Sequence, residues 1–249
     1  MNSHLAFVQY SEEVKEDSIK LPPGLLLYGP PGCSKTMIAK AAATESSMNF
    51  IAVRGAELLN MYVGETERAI RSLFKKARDA SPSIIFFDEM EAIARTRDQD
   101  GHTGVDTVTT LLNELDGVTI SKGVFVLGAT NKPDQIDDAL LRPGRLDQTL
   151  YVGLPDIEAR RLLLNMECQN LRLGSVQLDQ LAEKTEGMSG AEVVKLCQLA
   201  NRLAFRKRIQ TGERQYIEQE HFDHAFAKVG KGITEAKLKQ YEDFASKYE

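Results

Sequence analysis

The fold is decided by the stretch LLLYGPPGCSKT at residues 25–36. Its apolar residues, 25–28, stop at a Gly/Pro cluster, a pattern that is typical of a buried parallel strand. A helical pattern follows from Lys35 to Thr44. Because glycines let backbone N–H groups turn inward, a Gly-rich turn between a strand and a helix predicts a loop that holds phosphate groups.

Strand and helix patterns alternate up to residue 152 and then give way to helices alone. Apolar runs predict strands at residues 25–28, 49–53, 83–87, 123–130 and 149–152. Helical periodicity is present at 35–44, 65–78 and 108–115, and, after the hinge-like residues 153–155, at 157–166, 178–184, 189–209, 220–229 and 235–248. The alternation predicts an α/β fold, with a parallel five-stranded sheet flanked by helices and followed by a small all-helical domain.

We predict three segments along the chain. Residues 1–20 are polar and irregular and form a linker or a partial N-terminal segment, although 11–20 also suit a short helix. Residues 21–154 form a large α/β nucleotide-binding domain, and residues 155–249 form a C-terminal helical domain.

The predicted phosphate loop gives a role to its polar residues. Lys35 supplies a positive charge to the outer phosphates, and the Thr36 hydroxyl is a ligand for Mg²⁺. Ser34 stands where glycine usually precedes the lysine, and its side chain fits if its backbone has helical dihedrals. The alternative is a Gly/Pro turn before an ordinary helix. The predicted nucleotide-binding residues are Gly29, Pro30, Pro31, Gly32, Cys33, Ser34, Lys35, Thr36 and Met37.

Two carboxylates, Asp88 and Glu89, follow the apolar run 84–87. A buried strand would deliver both to its carboxyl end, which is where ligands bind in open α/β sheets. We expect Asp88 to hold the Mg²⁺ shell and Glu89 to accept a proton from the attacking water. The alternative is that they are acidic residues at a helix N-terminus, where the helix dipole favours them.

Several motifs occur in the order found in AAA ATPases, which this chain resembles. They are residues 29–36, 86–89, 128–131 (GATN), 141–145 (LRPGR) and 187–191 (GMSGA). The resemblance runs from residue 21 to the C-terminus and is nearest to the second ATPase ring of valosin-containing-protein-like tandem enzymes. Residues 33–34 and 185–197 are most similar to the diazaborine-sensitive and spermatogenesis-associated branch of large-ribosomal-subunit maturation. The first 20 residues match the upstream linker of that family poorly, so we interpret the chain as an excised fragment or a divergent short form.

The resemblance implies a P-loop NTPase fold with a helical lid, and site residues beyond the loop. Asn131 is similar to the first sensor, which orients the water or contacts the outer phosphate, although Asn-x-Pro also suits a turn. Arg142 and Arg145 match arginine fingers, which act on the ATP of a neighbouring subunit, with surface arginines beside a Pro-Gly turn as the alternative. Gly190 and Ala191 resemble the lid segment that packs on adenine and ribose, with helix capping as the alternative.

Arginine fingers imply a ring, because a single subunit then lacks a complete site, and the ring of this family is a homo-hexamer. Met61, Tyr62 and Val63 match its pore loop, where an aromatic side chain grips an unfolded polypeptide of any sequence. The alternative is that Tyr62 packs in the core. Residues 97–104 resemble the second pore loop. Asp116-Gly117 is a weaker match to the segment through which neighbouring subunits sense each other's nucleotide.

The implied function is Mg²⁺-dependent ATP hydrolysis that drives mechanical remodelling of a protein substrate, in the first hypothesis a pre-ribosomal factor. The predicted cofactors are ATP and Mg²⁺. The alternatives are a general ubiquitin-linked protein segregase, an ATP-gated assembly scaffold that does not pull, and a nucleic-acid motor. The net charge of −5 disfavours nucleic acid as a direct partner, because binding of its phosphates needs clustered cations.

Apolar run lengths and the cysteine count indicate the expected cellular compartment. No apolar run reaches the ~18 residues of a transmembrane helix, and residues 1–9 lack a secretory signal, so we expect no membrane partner. The odd count of 3 cysteines predicts reduced thiols, hence a cytoplasmic protein with the nucleus as the alternative. His221 and His224 are interpreted as a surface pair rather than a metal site.

Overall fold

The computed structural model describes residues 24–59, 65–95, 103–117, 123–212 and 216–248. The predicted pore-loop residues Met61, Tyr62 and Val63 lie outside these ranges. Residues 97–102 of the second predicted pore loop also lie outside them. Contacts divide the chain into two units. Of the described residues, the first unit holds 24–29, 35–152 and 240–248, and the second holds 30–34 and 153–239.

The first unit is built on a five-stranded sheet in the order β2-β3-β4-β1-β5. Its strands are β1 (Gly24–Tyr28), β2 (Asn49–Arg54), β3 (Ser83–Asp88), β4 (Val124–Thr130) and β5 (Gln148–Tyr151). Every pairing is parallel. The fold class predicted from the sequence is therefore confirmed.

The three central strands are apolar runs because both of their faces are covered. Every residue of β1 and β4 is buried, whereas β2 and β5 at the edges are partly exposed. Along β1 the side chains alternate between two core clusters, with Leu25 and Leu27 in one and Leu26 and Tyr28 in the other. Helices on both faces of a parallel sheet produce this pattern.

The helices of the first unit are α1 (Lys35–Ser46), α2 (Gly55–Leu59), α3 (Glu65–Asp79) and α4 (Thr103–Asp116), with short 3₁₀ turns at Met90–Ala92, Pro133–Gln135 and Asp138–Leu141. Helix α3 buries Ile70, Leu73, Phe74 and Ala77, a stripe at helical spacing. On the other face, small residues of α1 let the helix lie close to β3 and β4; these are Ala39, Ala42 and Ala43.

The second unit is helical. It contains α5 (Ile157–Cys168), α6 (Leu178–Lys184), α7 (Gly190–Thr211), α8 (Gln219–Val229) and the start of α9 (Glu235–Tyr248). Its core includes Leu164, Leu196 and Phe222. Helix α7 begins with a capping box, in which Ser189 and Glu192 satisfy each other's backbone N–H groups.

His221 corrects one sequence-based interpretation. The prediction of a surface pair is wrong for this residue, because its side chain is buried and its Nδ1 accepts the Glu218 N–H at 3.0 Å. His221 thus caps the start of α8, while His224 is exposed. No cluster of metal-ligating side chains is present in the described part of the chain.

The two units differ from the sequence-based domain boundaries in two places. Residues 30–34 group with the helical unit, where the Gly32 carbonyl accepts the Ala191 N–H at 3.1 Å. Residues 240–249 group with the α/β unit, because Tyr241 and Phe244 of α9 join its core. The boundaries 21–154 and 155–249 stay predictions. Within the described ranges, no helix is long and apolar enough to cross a membrane.

Phe222→Ala should lower the free energy of unfolding of the helical unit by about 3–5 kcal/mol, because it opens a cavity in the core. Urea denaturation followed by circular dichroism measures this loss. Phe205→Ala is the matched control, since its side chain is 56% exposed whereas Phe222 is 0% exposed. We expect the control to change stability by less than about 0.5 kcal/mol. Equal losses in both variants would contradict the packing described above.

Candidate nucleotide-binding site

The candidate site lies at one edge of the sheet. Strand β4 pairs with β1 on one side and β3 on the other, and all three run parallel. Their carboxyl ends, Tyr28, Asp88 and Thr130, therefore meet at the same edge, with Tyr28 directly opposite Thr130. This is the edge at which open α/β sheets bind ligands.

The loop after β1 has a backbone that only glycine adopts easily at two positions. Gly29 has φ of 146° and Gly32 has φ of 76°. A side chain at Gly29 would also collide with the carbonyl oxygen of Val152. The sequence pattern of glycines thus matches the conformational needs of the loop, as expected for a backbone cradle around an anion.

Lys35 is the first residue of α1 and is buried. Its Nζ donates a hydrogen bond to the carbonyl of Gly29 at 2.8 Å, so the ammonium group lies against the start of the loop. The first turn of α1 contains no acidic residue, so no negative side chain of that turn competes with a bound anion for its backbone N–H groups. A cation beside a helix N-terminus is suited to phosphate groups.

Thr36 and Asp88 connect the two motifs. The Thr36 hydroxyl donates to Oδ2 of Asp88 at 2.8 Å, although the residues are 52 positions apart in the chain. Asp88 also accepts the N–H of Glu89 through Oδ1 at 3.1 Å. A hydroxyl and a carboxylate are oxygen ligands of the kind that Mg²⁺ prefers, so the residues present fit a magnesium–nucleotide complex.

Glu89 has a left-handed backbone, with φ of 52° and ψ of 48°. Such a conformation is uncommon for a residue with a side chain and is concentrated at functional sites. The residue is exposed, whereas the next residue, Met90, is fully buried. The buried Met90 anchors the turn, and Glu89, next to Asp88 in the chain, is exposed to solvent.

Asn131 follows β4 directly, so that strand places it at the same edge as Asp88. Its carbonyl accepts a hydrogen bond from the Tyr241 hydroxyl at 2.7 Å. The preceding residue, Thr130, is buried and donates to Oε2 of Glu91 at 2.7 Å. A sequence motif marks Asn131, but no local pattern marks Glu91 or Tyr241, whose partners lie 39 and 110 positions away in the chain.

The two candidate arginine fingers differ in their surroundings. Arg142 is exposed at the end of a 3₁₀ turn. Arg145 forms a two-pronged ion pair with Asp116, Nε to Oδ1 at 2.6 Å and Nη2 to Oδ2 at 2.8 Å. Its Nη1 donates to the carbonyl of Ala139 at 2.6 Å. The hydrogen bonds between the two side chains lower the pKa of Asp116 and raise the pKa of Arg145 relative to their ordinary values.

The remaining predicted binding residues are distributed over both units. In the helical unit, Gly190 is buried and Ala191 is exposed at the start of α7, next to Gly32. Met37 is 70% exposed on α1. In the loop, Pro30 and Cys33 are buried whereas Pro31 is exposed. The contact of Gly190 and Ala191 with adenine and ribose stays a prediction.

Ser34 does not have helical dihedrals, the condition under which its side chain is predicted to fit. Its φ of 66° places it in the left-handed region. The physical reason is that the loop needs a left-handed backbone at this position, which glycine adopts easily. Ser34 adopts it with its side chain exposed. Such a backbone costs an ordinary residue about 1–2 kcal/mol.

Ser34→Gly should raise the free energy of unfolding by about 0.5–1 kcal/mol, because relief of the left-handed strain exceeds the entropy cost of glycine. Thermal unfolding without nucleotide measures this change. Ser34→Ala is the matched control, since it removes the hydroxyl but keeps the Cβ, and we expect no gain from it. A gain in the alanine variant would mean that the hydroxyl, rather than the backbone, carries the cost.

Comparisons with known proteins agree with this geometry. Residues 25–154 match the model of the "ATPase family associated with various cellular activities (AAA)". Residues 175–224 match the model of the AAA+ lid domain. The first match covers the sheet and the candidate site, and the second covers helices α6 and α7 with part of α8.

Three curated proteins similar to this chain come from different organisms. The ATPase family gene 2 protein of Saccharomyces cerevisiae is 51% identical over 242 residues, which are 96% of this chain and 30% of that protein. The human ATPase family gene 2 protein homolog A is 45% identical over 244 residues, 96% of this chain and 27% of that protein. The Cell division cycle protein 48 homolog of Archaeoglobus fulgidus is 42% identical over 248 residues, 94% of this chain and 34% of that protein. The chain thus spans about a third of the length of the curated relatives it matches. From the family match and the site geometry together, the chain belongs to the AAA family of ATP-hydrolysing enzymes.

Proposed function

We propose that this chain binds ATP with Mg²⁺ at residues 29–36, hydrolyses it with Glu89 as general base, and uses the reaction to remodel a protein substrate. The observation that carries the proposal is the 2.8 Å hydrogen bond between Thr36 and Asp88. It supports a shared role because it joins the hydroxyl of the phosphate loop to the carboxylate at the end of β3, the two side chains expected to hold one metal ion.

Binding is assigned to the loop and the start of α1. Lys35 exchanges its hydrogen bond with the Gly29 carbonyl for phosphate oxygens, which are stronger acceptors because they are charged. Thr36 and Asp88 would hold the metal ion through their side-chain oxygens. When bound, Mg²⁺ neutralises charge on the phosphate oxygens as the reaction proceeds.

Hydrolysis is assigned to Glu89 and Asn131. The exposed Glu89 carboxylate accepts a proton from the attacking water, and the Asn131 side chain orients that water or contacts the outer phosphate. Both residues follow neighbouring strands, β3 and β4, whose pairing fixes the separation of their backbones. Fixed separation supports catalysis, because it orders the reacting groups before the reaction begins.

The assembly proposed is a homo-hexamer. Arg142 is exposed and available to reach a neighbouring subunit, where a guanidinium group stabilises the charge of the transition state. Arg145 belongs to the same proposal, although in this structure it is paired with Asp116. The ATP site of one subunit would therefore be completed by an arginine of the next subunit.

The substrate class proposed is an unfolded or extracted polypeptide, in the first hypothesis a precursor factor of the large ribosomal subunit. The support is the position of Met61, Tyr62 and Val63 between β2 and α3, where the family places a pore loop. The acidic balance of the chain, −5, also favours protein over nucleic acid. We propose the cytoplasm as its location.

Glu89→Gln should retain ATP binding but lower kcat at least about 100-fold, because the amide cannot accept the proton. Lys35→Ala should instead lose binding. Phosphate release measures turnover, and titration with a fluorescent ATP analogue measures Kd. Glu65→Gln, an exposed carboxylate on α3, is the control and should keep both values. Full turnover in Glu89→Gln would refute the assignment of the base.

Tyr62→Ala should abolish unfolding of a tagged model protein while the chain still hydrolyses ATP, since the aromatic grip is lost and the nucleotide site is untouched. Loss of fluorescence from a green fluorescent substrate measures unfolding. Tyr216→Ala, an exposed tyrosine of the helical unit, is the matched control and should unfold the substrate normally.

Three outcomes would contradict parts of this proposal. Unchanged unfolding by Tyr62→Ala would refute the assignment of Tyr62 as the residue that grips the substrate. Stimulation of wild-type turnover by RNA or DNA, and not by an unfolded polypeptide, would favour a nucleic-acid motor. If ATP turnover occurs without any unfolding by the wild type, an ATP-gated scaffold is favoured instead.

A further inference from the structure

The end of helix α9 lies against the candidate site within the α/β unit. The Tyr241 hydroxyl donates to the carbonyl of Asn131 at 2.7 Å. One turn further along the helix, the Phe244 ring lies 4.8 Å from the ring of Tyr28, the residue before the phosphate loop. Near the C-terminus, the Tyr248 hydroxyl donates to Asp138 at 2.6 Å.

Hydrogen bonds hold the backbone around Asn131 from two directions. On one side, Thr130 donates through its hydroxyl to the buried Glu91 and accepts the N–H of Lys132 at 3.0 Å. On the other side, Tyr241 holds the carbonyl of Asn131 itself. The backbone of Asn131 is thereby held between a strand end and a helix, and the direction of its side chain depends on both.

Tyr241 is suited to this task because it is buried, at 6% exposure, and the centre of its ring lies 6.0 Å from that of Tyr151. A packed ring keeps its hydroxyl in one place. A hydrogen bond removed in such a setting leaves the carbonyl without its partner, which is costlier than loss of the bond in water.

We infer that Tyr241 is a positioning residue for ATP hydrolysis, which acts by fixing the backbone of Asn131 so that its side chain faces the reacting water. The inference rests on the proposed role of Asn131 in hydrolysis. Tyr241 acts only through Asn131, so it should affect the rate of the reaction and leave nucleotide binding to the loop unchanged.

A purely structural role predicts something different. If α9 served only to cover the sheet, any loss of one of its hydrogen bonds would have a similar effect. Tyr248 tests this, because its hydroxyl also donates a hydrogen bond within the α/β unit, but to Asp138 rather than to Asn131. Tyr241→Phe and Tyr248→Phe each remove one hydroxyl and keep the aromatic ring.

The first measurement uses ligand-free protein. Hydrogen–deuterium exchange of the peptide that contains Asn131 and Lys132 should be about fivefold faster in Tyr241→Phe and unchanged in Tyr248→Phe. Unchanged exchange in Tyr241→Phe would overturn the inference, since the hydroxyl would then not hold this backbone.

The second measurement separates rate from binding. Tyr241→Phe should lower kcat about five- to tenfold with Kd for a fluorescent ATP analogue within about twofold of wild type, whereas Tyr248→Phe should keep both. An equal loss of kcat in the two variants, or a loss of binding in Tyr241→Phe, would overturn the inference in favour of general docking of α9.

Asn131→Ala distinguishes failure of the inference from failure of the proposed function. Low kcat in Asn131→Ala with wild-type kcat in Tyr241→Phe overturns the inference alone. Wild-type kcat in Asn131→Ala overturns the assigned role of Asn131, and the inference with it. Absence of turnover in the wild-type chain overturns the proposed function, and the exchange measurement still decides whether Tyr241 holds the Asn131 backbone.

Discussion

The structure depends on one constraint: β4 lies between β1 and β3, and all three run in the same direction. This arrangement brings the loop after β1, the carboxylates after β3 and the asparagine after β4 to a single edge, although they are far apart in the chain. The hydrogen bond between Thr36 and Asp88 closes the arrangement across the width of β4. A shift of any strand by one residue would reverse its buried faces as well as move its terminal residue, so packing and chemistry specify the same register.

Much of this arrangement could be predicted from the sequence because it is local. Apolar runs that end at a Gly/Pro cluster or at paired acids predict buried strands, and the predicted strand 83–87 agrees with Ser83–Asp88 to within one residue. Helix α7 was predicted one residue early, at the Ser189 cap that precedes Gly190. The order of the strands in the sheet does not follow from such patterns, since pairing depends on contacts between distant residues.

What could not be predicted is conformational or long-range. The left-handed backbone of Ser34 is imposed by the loop against the preference of the residue, so its own identity gave no signal. His221 resembles a surface residue in the sequence, but a hydrogen bond to the backbone of Glu218 makes its burial acceptable. The partners Arg145–Asp116 and Tyr241–Asn131 are 29 and 110 positions apart, beyond the reach of any periodicity.

The ion pair of Arg145 has a stereochemical consequence. A guanidinium group has five N–H donors in one plane. In the described part of the chain, three of these donors are engaged, two by the carboxylate of Asp116 and one by the carbonyl of Ala139. The fork that normally grips an oxyanion with two parallel bonds is already filled by a carboxylate. A second anion can approach only along the remaining N–H bonds, or must displace Asp116 outright.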